Sequence, residues 1–459
     1  MRLPFRQARV LALAFVTATV PLTTLAGGGQ AAAASASAPA VTAAPVIPDS
    51  PAGRQLSWYL DAVPRVPIAE SELKEHFSTD FLTSIPADDL NAFTGQLKGM
   101  TLEKLTTVKP DLLVGQVTIA GQGFVLTISV DGDGKINTLR VAPPEVPVPP
   151  APGSWNELDG RLRKAAPEVG FLAAEIGSRG QCKIIHAVAP DRPRPLGSIF
   201  KLYVLGAVAQ KIHDGGLSWN TELTIKPEWK SLGAGGLADR PDNSTTTVHE
   251  AAKLMISISD NTAADILLHT VGRKAVEAKV RQWSGHAERN IPFLTTRELF
   301  LLKGVNYPEQ ARSYLALSPA KKRAYLDGTV ARQSLSDIEF WDRPREIGTL
   351  EWFGSPRDVC RAYAGLTALN SKRLHEAMSA NAGSLQLDPA KWKAPWFKGG
   401  SEPGVLDLSY LARSTRKAGG KTYVVTALTN DPRTALNEAT TVPELISLSR
   451  GAFALVKTG

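Results

Sequence analysis

Apolar residues recur at helical spacing through Phe200, Tyr203, Val204, Ala207 and Val208, which predicts a buried helix from Ser198 to His213. Pro195 and Gly197 break the chain just before it and set Ser198 in its first turn. A second helical run, Leu254–His269, is interrupted by Ser259-Asp260-Asn261. Elsewhere the period changes to that of strands, at 170–176 and 183–189, and again after Val405 and after Thr422. Two strands, a long helical stretch and then more strands predict a mixed sheet with a helical domain inserted into it.

The first part of the chain has a different pattern. Residues 50–145 predict a small α+β domain, with helices at 53–61 and 71–77 and strands at 112–120, 123–130 and 135–141. Asp131-Gly132-Asp133-Gly134 opens like a calcium loop, but Ala142 stands at the twelfth position, where a glutamate is needed. A hairpin turn is the expectation there. The run from Pro143 to Gly153 is rich in proline and predicts an extended, semi-rigid spacer. The expected organisation is therefore 50–145, a linker at 146–153, and a second domain over 154–459 that begins with a helix at Trp155.

Composition adds export to this picture. Arg2, Arg6 and Arg9 precede the apolar stretch 10–18, and Ala34-Ser35-Ala36 and Ala36-Ser37-Ala38 are small-residue cleavage sites. Residues 1–38 therefore predict a signal peptide, and the mature chain is expected to be secreted, with no membrane span and no cysteine for a lipid anchor. The formal charge is +8, and removal of those three arginines leaves +5 spread among acids. Without a Lys/Arg run, nucleic-acid binding is not expected, although anionic ligands are attracted. Cys182 and Cys360 are too few for a disulfide framework; they either pair or remain two separate buried thiols. A monomer without metal or organic cofactor is expected.

The candidate chemistry begins with a serine and a lysine three residues apart on one helix face. Such a lysine, desolvated and partly neutral, can take the proton of the hydroxyl. Four pairs have this spacing: Ser71/Lys74, Ser198/Lys201, Ser318/Lys321 and Ser414/Lys417. Ser71 and Ser318 read as helix N-caps and Ser414 as part of a hairpin turn, so only Ser198 heads a helix fit for a core. Ser259-Asp260-Asn261 offers a hydroxyl and an amide to relay a proton and hold a lysine, although all three residue types also favour N-caps. Lys398-Gly399-Gly400-Ser401 opens a strand where glycine lets backbone approach a ligand, with N–H groups available to an oxyanion. Lys457-Thr458-Gly459 has no strand after it and is set aside.

In this order, Ser198-x-x-Lys201, Ser259-Asp-Asn261 and Lys398-Gly-Gly400 resemble the motifs of class A β-lactamases, over residues 154–459. Pro292-Phe-Leu-Thr-Thr296 and Lys398-x-Gly-Ser-x-Pro-Gly404 carry a narrower likeness, to the cephalosporin-esterase-like protein of clavulanic acid gene clusters and related mycobacterial lipoproteins. In those proteins the first domain resembles an NTF2 or steroid-isomerase cone. The resemblance implies an α/β sandwich with an all-helical subdomain, and a penicillin-recognising serine hydrolase acting on a β-lactam or peptidoglycan-like molecule. It further implies Ser198 as nucleophile, Lys201 as base and Ser259 as proton relay. Asn261 would position substrate, Lys398 would draw its carboxylate, and the N–H groups of Ser198 and Ser401 would bind the oxyanion beside Gly400. A D,D-peptidase and a non-catalytic binder share these motifs. The Glu-x-x-Leu-Asn loop that activates the deacylating water is missing; Glu288 stands nearby without the Leu and Asn. Residues 303–345 read as an insertion able to cover the site.

Overall fold

Ser50 accepts the N–H of Gly53 at 3.1 Å and Pro51 fills the first helical position, so the first helix, α1 (Pro51–Ala62), starts where its free N–H groups are satisfied. The computed structural model describes residues 45–142, 144, 147–233 and 236–456, and the chain divides into two units between Val146 and Pro147. The expected signal peptide and Lys457-Thr458-Gly459 lie outside the described residues.

In the N-terminal unit, α1 is followed by α2 (Glu70–His76), α3 (Thr79–Ser84) and α4 (Ala87–Gly95). An antiparallel meander of four strands comes next: β1 (Thr101–Val108), β2 (Leu112–Ile119), β3 (Gln122–Val130) and β4 (Ile136–Ala142). Leu56, Tyr59 and Leu73 from the helices, with Phe77 just after α2, pack with Leu113, Leu126, Ile128 and Ile136 of the sheet. Between β3 and β4, Asp131 Oδ1 accepts the N–H groups of Asp133 and Lys135 at 3.0 Å each, which closes a turn and leaves no calcium loop. Ser71 is not an N-cap: α2 starts one residue earlier, behind Ala69, because Glu70 and Glu72 suit its first turn.

The C-terminal unit begins with residues 147–153 laid on its own surface. The Pro150 carbonyl accepts from Arg161 and from Ser447 at 2.8 Å each, so this stretch is tied down within the unit. Then follow α5 (Trp155–Ala165), β5 (Glu168–Ile176), β6 (Cys182–Val188) and the two-residue β7 (Arg194–Pro195). The helical part comprises α6 (Lys201–His213), a short pair β8 (Glu222–Thr224) and β9 (Thr245–Thr247), α7 (Val248–Ser257), α8 (Asn261–Val271) and α9 (Arg273–Trp283). It continues with α10 (Thr296–Gly304), α11 (Glu309–Leu315), α12 (Pro319–Gly328), the two-residue β10 (Phe353–Gly354), α13 (Pro356–Ala368) and α14 (Lys372–Ser379). The chain returns to the sheet in β11 (Trp396–Glu402), β12 (Val405–Arg413) and β13 (Thr422–Asn430), and ends in α15 (Glu438–Leu455).

The main sheet runs β11-β12-β13-β5-β6 and is wholly antiparallel, not mixed. Short hairpins join β5 to β6, β11 to β12 and β12 to β13, and such connections can only make antiparallel neighbours. Both faces are covered. Leu158 and Leu162 of α5 and Leu445, Leu448 and Phe453 of α15 pack on one face. On the other, Leu172, Leu411, Val424 and Leu428 join the apolar cluster of the helical part, with α13 lying on β5 and β13. Helix α6 is buried from Lys201 to Ala209, as expected of a helix apolar on every side. Cys182 on β6 and Cys360 on α13 are joined by a disulfide, which decides between the two readings of the cysteines.

Candidate active site

Ser198 lies in a 3-10 turn, Gly197–Phe200, and α6 proper begins at Lys201. The sequence-predicted helix therefore starts one turn late. The approach of β11 explains this: the chain must bend sharply to let the strand press against it. A Cβ on Gly400 would stand 2.1 Å from the Leu196 carbonyl oxygen and 3.0 Å from the Ser198 nitrogen. A Cβ on Gly197, which has φ +46°, would stand 2.8 Å from the Ser401 nitrogen. Only glycine at both places lets the two backbones touch.

The register of β11 then aims one donor at that contact. Pro403 and Gly404 form a two-residue turn, so Glu402 and Val405 make a hydrogen-bonded pair. Alternation along the ladder leaves the N–H of Ser401 pointing at the free edge of β11, where Gly197 and Ser198 lie. The backbone N–H groups of Ser198 and Ser401 thus border one slot. Gly400→Ala is expected to push the strand off the turn and slow acylation of Ser198 by about 10²-fold, the scale for an ångström of misplacement; single-turnover kinetics would show it.

Ser259 and Asn261 come in from the helical side. Asp260 is the N-cap of α8, accepting from Ala263 N–H at 2.9 Å, while its other oxygen accepts from Leu237 N–H at 2.7 Å. The capping reading therefore holds for the middle residue and leaves the outer two for the site. Ser259 adopts φ +61°, a conformation that a non-glycine residue holds only when its surroundings enforce it. Lys201 Nζ donates to the Ser259 carbonyl at 2.5 Å, to Asn261 Oδ1 at 2.6 Å and to Ser259 Oγ at 3.2 Å. Lys398 Nζ donates to Ser259 Oγ at 2.9 Å and to the Gly399 carbonyl at 2.7 Å. One hydroxyl oxygen accepts from two amines, so its own hydrogen points away from both.

Both lysines are fully buried. Desolvation pulls the Lys201 ammonium down to about 7, against the attraction of Asp260 and Asp265. Lys398 is held well below its ordinary range by desolvation, and then by repulsion from Lys201. The Ser198 hydroxyl is half-buried and makes no hydrogen bond among the described residues. Nor does any carboxylate bond to the side chains of Ser198, Lys201 or Ser259 among them. Glu288 is exposed on a 3-10 turn, Ala287–Asn290, and has no hydrogen bond or ion pair there.

No curated protein matches the chain. Two family models do. Residues 155–321 match the beta-lactamase enzyme family. Residues 47–136 match a separate family, described as the N-terminal part of the ORF 12 gene product. The C-terminal unit is thus similar to beta-lactamases over its first half, and the N-terminal unit matches a separate family model. Similar solved structures include PBP-A, at 18% identity over 67% of this chain and 100% of that chain, TM-score 0.43. Another is the beta-lactamase from Sphaerobacter thermophilus DSM 20745, at 19% identity over 67% and 98%, TM-score 0.44. A PBP-A mutant in an acyl-enzyme complex with penicillin-G is 18% identical over 68% and 100%, TM-score 0.42.

Within the beta-lactamase-like domain, all seven residues expected to form a site come together at the meeting of the 3-10 turn, the α7–α8 junction and β11. Two supporting contacts were not foreseen from sequence, one of them made by Thr296 at the end of the Pro292–Thr296 motif. Trp352 stacks on Phe200 at 3.7 Å between ring centroids and supports the turn beside Lys201. Thr296 Oγ1 donates to Ser231 Oγ at 2.7 Å and to the Asn261 carbonyl at 3.3 Å, bracing the start of α8. Both contacts join segments far apart in sequence, which no local pattern reports. Among the described residues no group of three or more His, Cys, Asp or Glu side chains is placed to hold a metal, and no helix is long and apolar enough to cross a membrane.

Proposed function

We propose that the chain is an exported serine hydrolase that forms an acyl ester on Ser198, with β-lactams and cephalosporin-type amides and esters as substrates. The shared bonding of Ser259 Oγ to Lys201 and Lys398, next to the Ser198 turn, carries this reading. With its pKa near 7, the Lys201 amine is neutral in an appreciable fraction of molecules, as a general base must be. It takes the Ser198 proton as Oγ attacks the substrate carbonyl, and the N–H groups of Ser198 and Ser401 hold the negative oxygen. The outward hydrogen of Ser259 goes to the departing nitrogen or oxygen, and an adjacent lysine replaces it. Asn261, fixed by donation of its Nδ2 to the Leu232 carbonyl at 2.8 Å, orients Lys201 and borders the substrate. We assign Lys398 first to Ser259, and through its residual charge to the substrate carboxylate.

The second half of the cycle is less well provided. Water must attack the acyl ester, and Glu288 is not placed to activate it. Losing a general base slows a step by roughly 10²–10⁴. A chromogenic cephalosporin should therefore give a burst of one product per enzyme and then a slow phase, unchanged in Glu288→Gln. Linear fast turnover that disappears in Glu288→Gln would contradict this. Release of D-alanine from a cell-wall peptide at a higher rate than β-lactam turnover would favour the D,D-peptidase reading. We read the N-terminal unit as an NTF2-like or steroid-isomerase-like cone, on the strength of helices packed against one four-stranded meander.

A further inference from the structure

The slot between Ser198 and Ser401 depends on where β11 ends, and that end is held by a buried ionic cluster. Glu402 follows Ser401 directly. Both of its carboxylate oxygens accept from Lys303 Nζ, at 2.7 and 2.8 Å. Lys303 closes α10 and its side chain is fully buried. Glu351 Oε1 lies 3.9 Å from the same nitrogen, and its other oxygen accepts the Trp352 N–H at 2.6 Å. Burial, and then the nearby Glu402 charge, raise the Glu351 carboxyl well above the usual carboxylate range, against the pull of Lys303.

The chain just after Glu351 also pairs with the strand that leads into the nucleophile turn. Phe353 pairs with Pro195, and Leu196 N–H donates to the Trp352 carbonyl at 2.8 Å, one residue from Glu351 on one side and one residue from Gly197 on the other. The cluster therefore connects the strand leading into Ser198, the end of β11 beside Ser401, and α10. A buried ion pair is a poor source of net stability, since desolvation consumes most of the attraction, but it fixes geometry well. The cluster lies outside the chemistry assigned to Lys201, Ser259 and Lys398.

We propose that Lys303, with Glu402 and Glu351, positions the Ser401 N–H against the Ser198 turn and so sets the width of the oxyanion slot. The inference rests on acylation of Ser198 as proposed above. These are positioning residues that act through the backbone of β11. Lys303→Met alone leaves the largely covered Glu402 without its cation and can fail to fold. Lys303→Met/Glu402→Gln removes both charges together, and Glu351→Gln keeps an oxygen for the Trp352 N–H. For each folded variant, the acylation rate constant, the affinity for unreacted β-lactam and the affinity for a boronic acid would be measured. The boronic acid forms a tetrahedral adduct on a nucleophilic serine and places an oxygen in the slot.

The double variant should acylate about 10²-fold more slowly, the scale for losing one oxyanion donor. It should lose boronic acid affinity in parallel and bind unreacted substrate as before. Glu402→Gln, which keeps one bond to Lys303, should fall between it and the parent. Glu351→Gln should stay within a few-fold of the parent. Acylation and boronic acid binding at parent levels in both Glu402→Gln and the double variant would overturn the proposal. A parent protein that forms no adduct at all would count against the proposed function instead, so the two failures are distinguishable.

Discussion

Ser198→Ala is expected to abolish covalent labelling by a fluorescent penicillin, while Ser71→Ala, Ser318→Ala and Ser414→Ala label like the parent. The structure separates the four serine–lysine pairs sharply. Ser71 lies within α2, Ser318 caps α12, and Ser414 follows β12. Only Ser198 has Lys201, Ser259 and the edge of β11 around it. Its hydroxyl is also uncommitted among the described residues, as a nucleophile awaiting substrate should be. Removing that oxygen removes the atom that forms the ester, so the expected effect is complete loss. Labelling of the Ser198→Ala protein at the parent level would remove Ser198 from its role.

Lys201→Arg should keep the fold and lose acylation by about 10²–10⁴, the usual contribution of a positioned general base. Arginine retains the charge and can bond Asn261 and Ser259, but it cannot release its proton at working pH. The pH dependence gives the same test in the unmodified protein. The group acts in its neutral form, so acylation should rise with pH as Lys201 loses its proton around 7. Above that pH the rate should level off. Burial dominates the shift, and therefore the limb should change little with salt, which screens surface charges far more than buried ones. The Lys201→Arg protein should show no such limb in its residual rate. Acylation by Lys201→Arg at nearly the parent rate would mean that the lysine is a structural hydrogen-bond donor.

Much of this site was legible in sequence because its parts are local. A serine and lysine three apart, a Ser-Asp-Asn between two helical runs, and Lys-Gly-Gly at a strand start each carry their geometry with them. The sheet strands were legible for the same reason, since period-two alternation and turn residues are local signals. What escaped notice was set by contacts between distant segments. The 3-10 bend at Ser198 is imposed by β11, some two hundred residues further along the chain. The wholly antiparallel order follows from β13 pairing with β5 across the entire helical insertion. Lys303, Glu351 and Glu402 look in sequence like three ordinary surface charges, and only the fold, which buries the first two and brings Glu402 onto Lys303, makes them a unit. The cysteine pairing was undecided for the same reason: nothing local places β6 beside α13.

The function rests on one chemical event, and intact-mass spectrometry with peptide mapping reads it directly. The purified protein would be incubated with a penicillin and, separately, with a cephalosporin, and sampled over time. A mass increase of one ligand is expected, on the peptide that contains Ser198, formed quickly and lost slowly. The cephalosporin adduct should also shed its side-chain leaving group. A chain that acquires no adduct with either compound, or whose adduct maps to a peptide without Ser198, would contradict it.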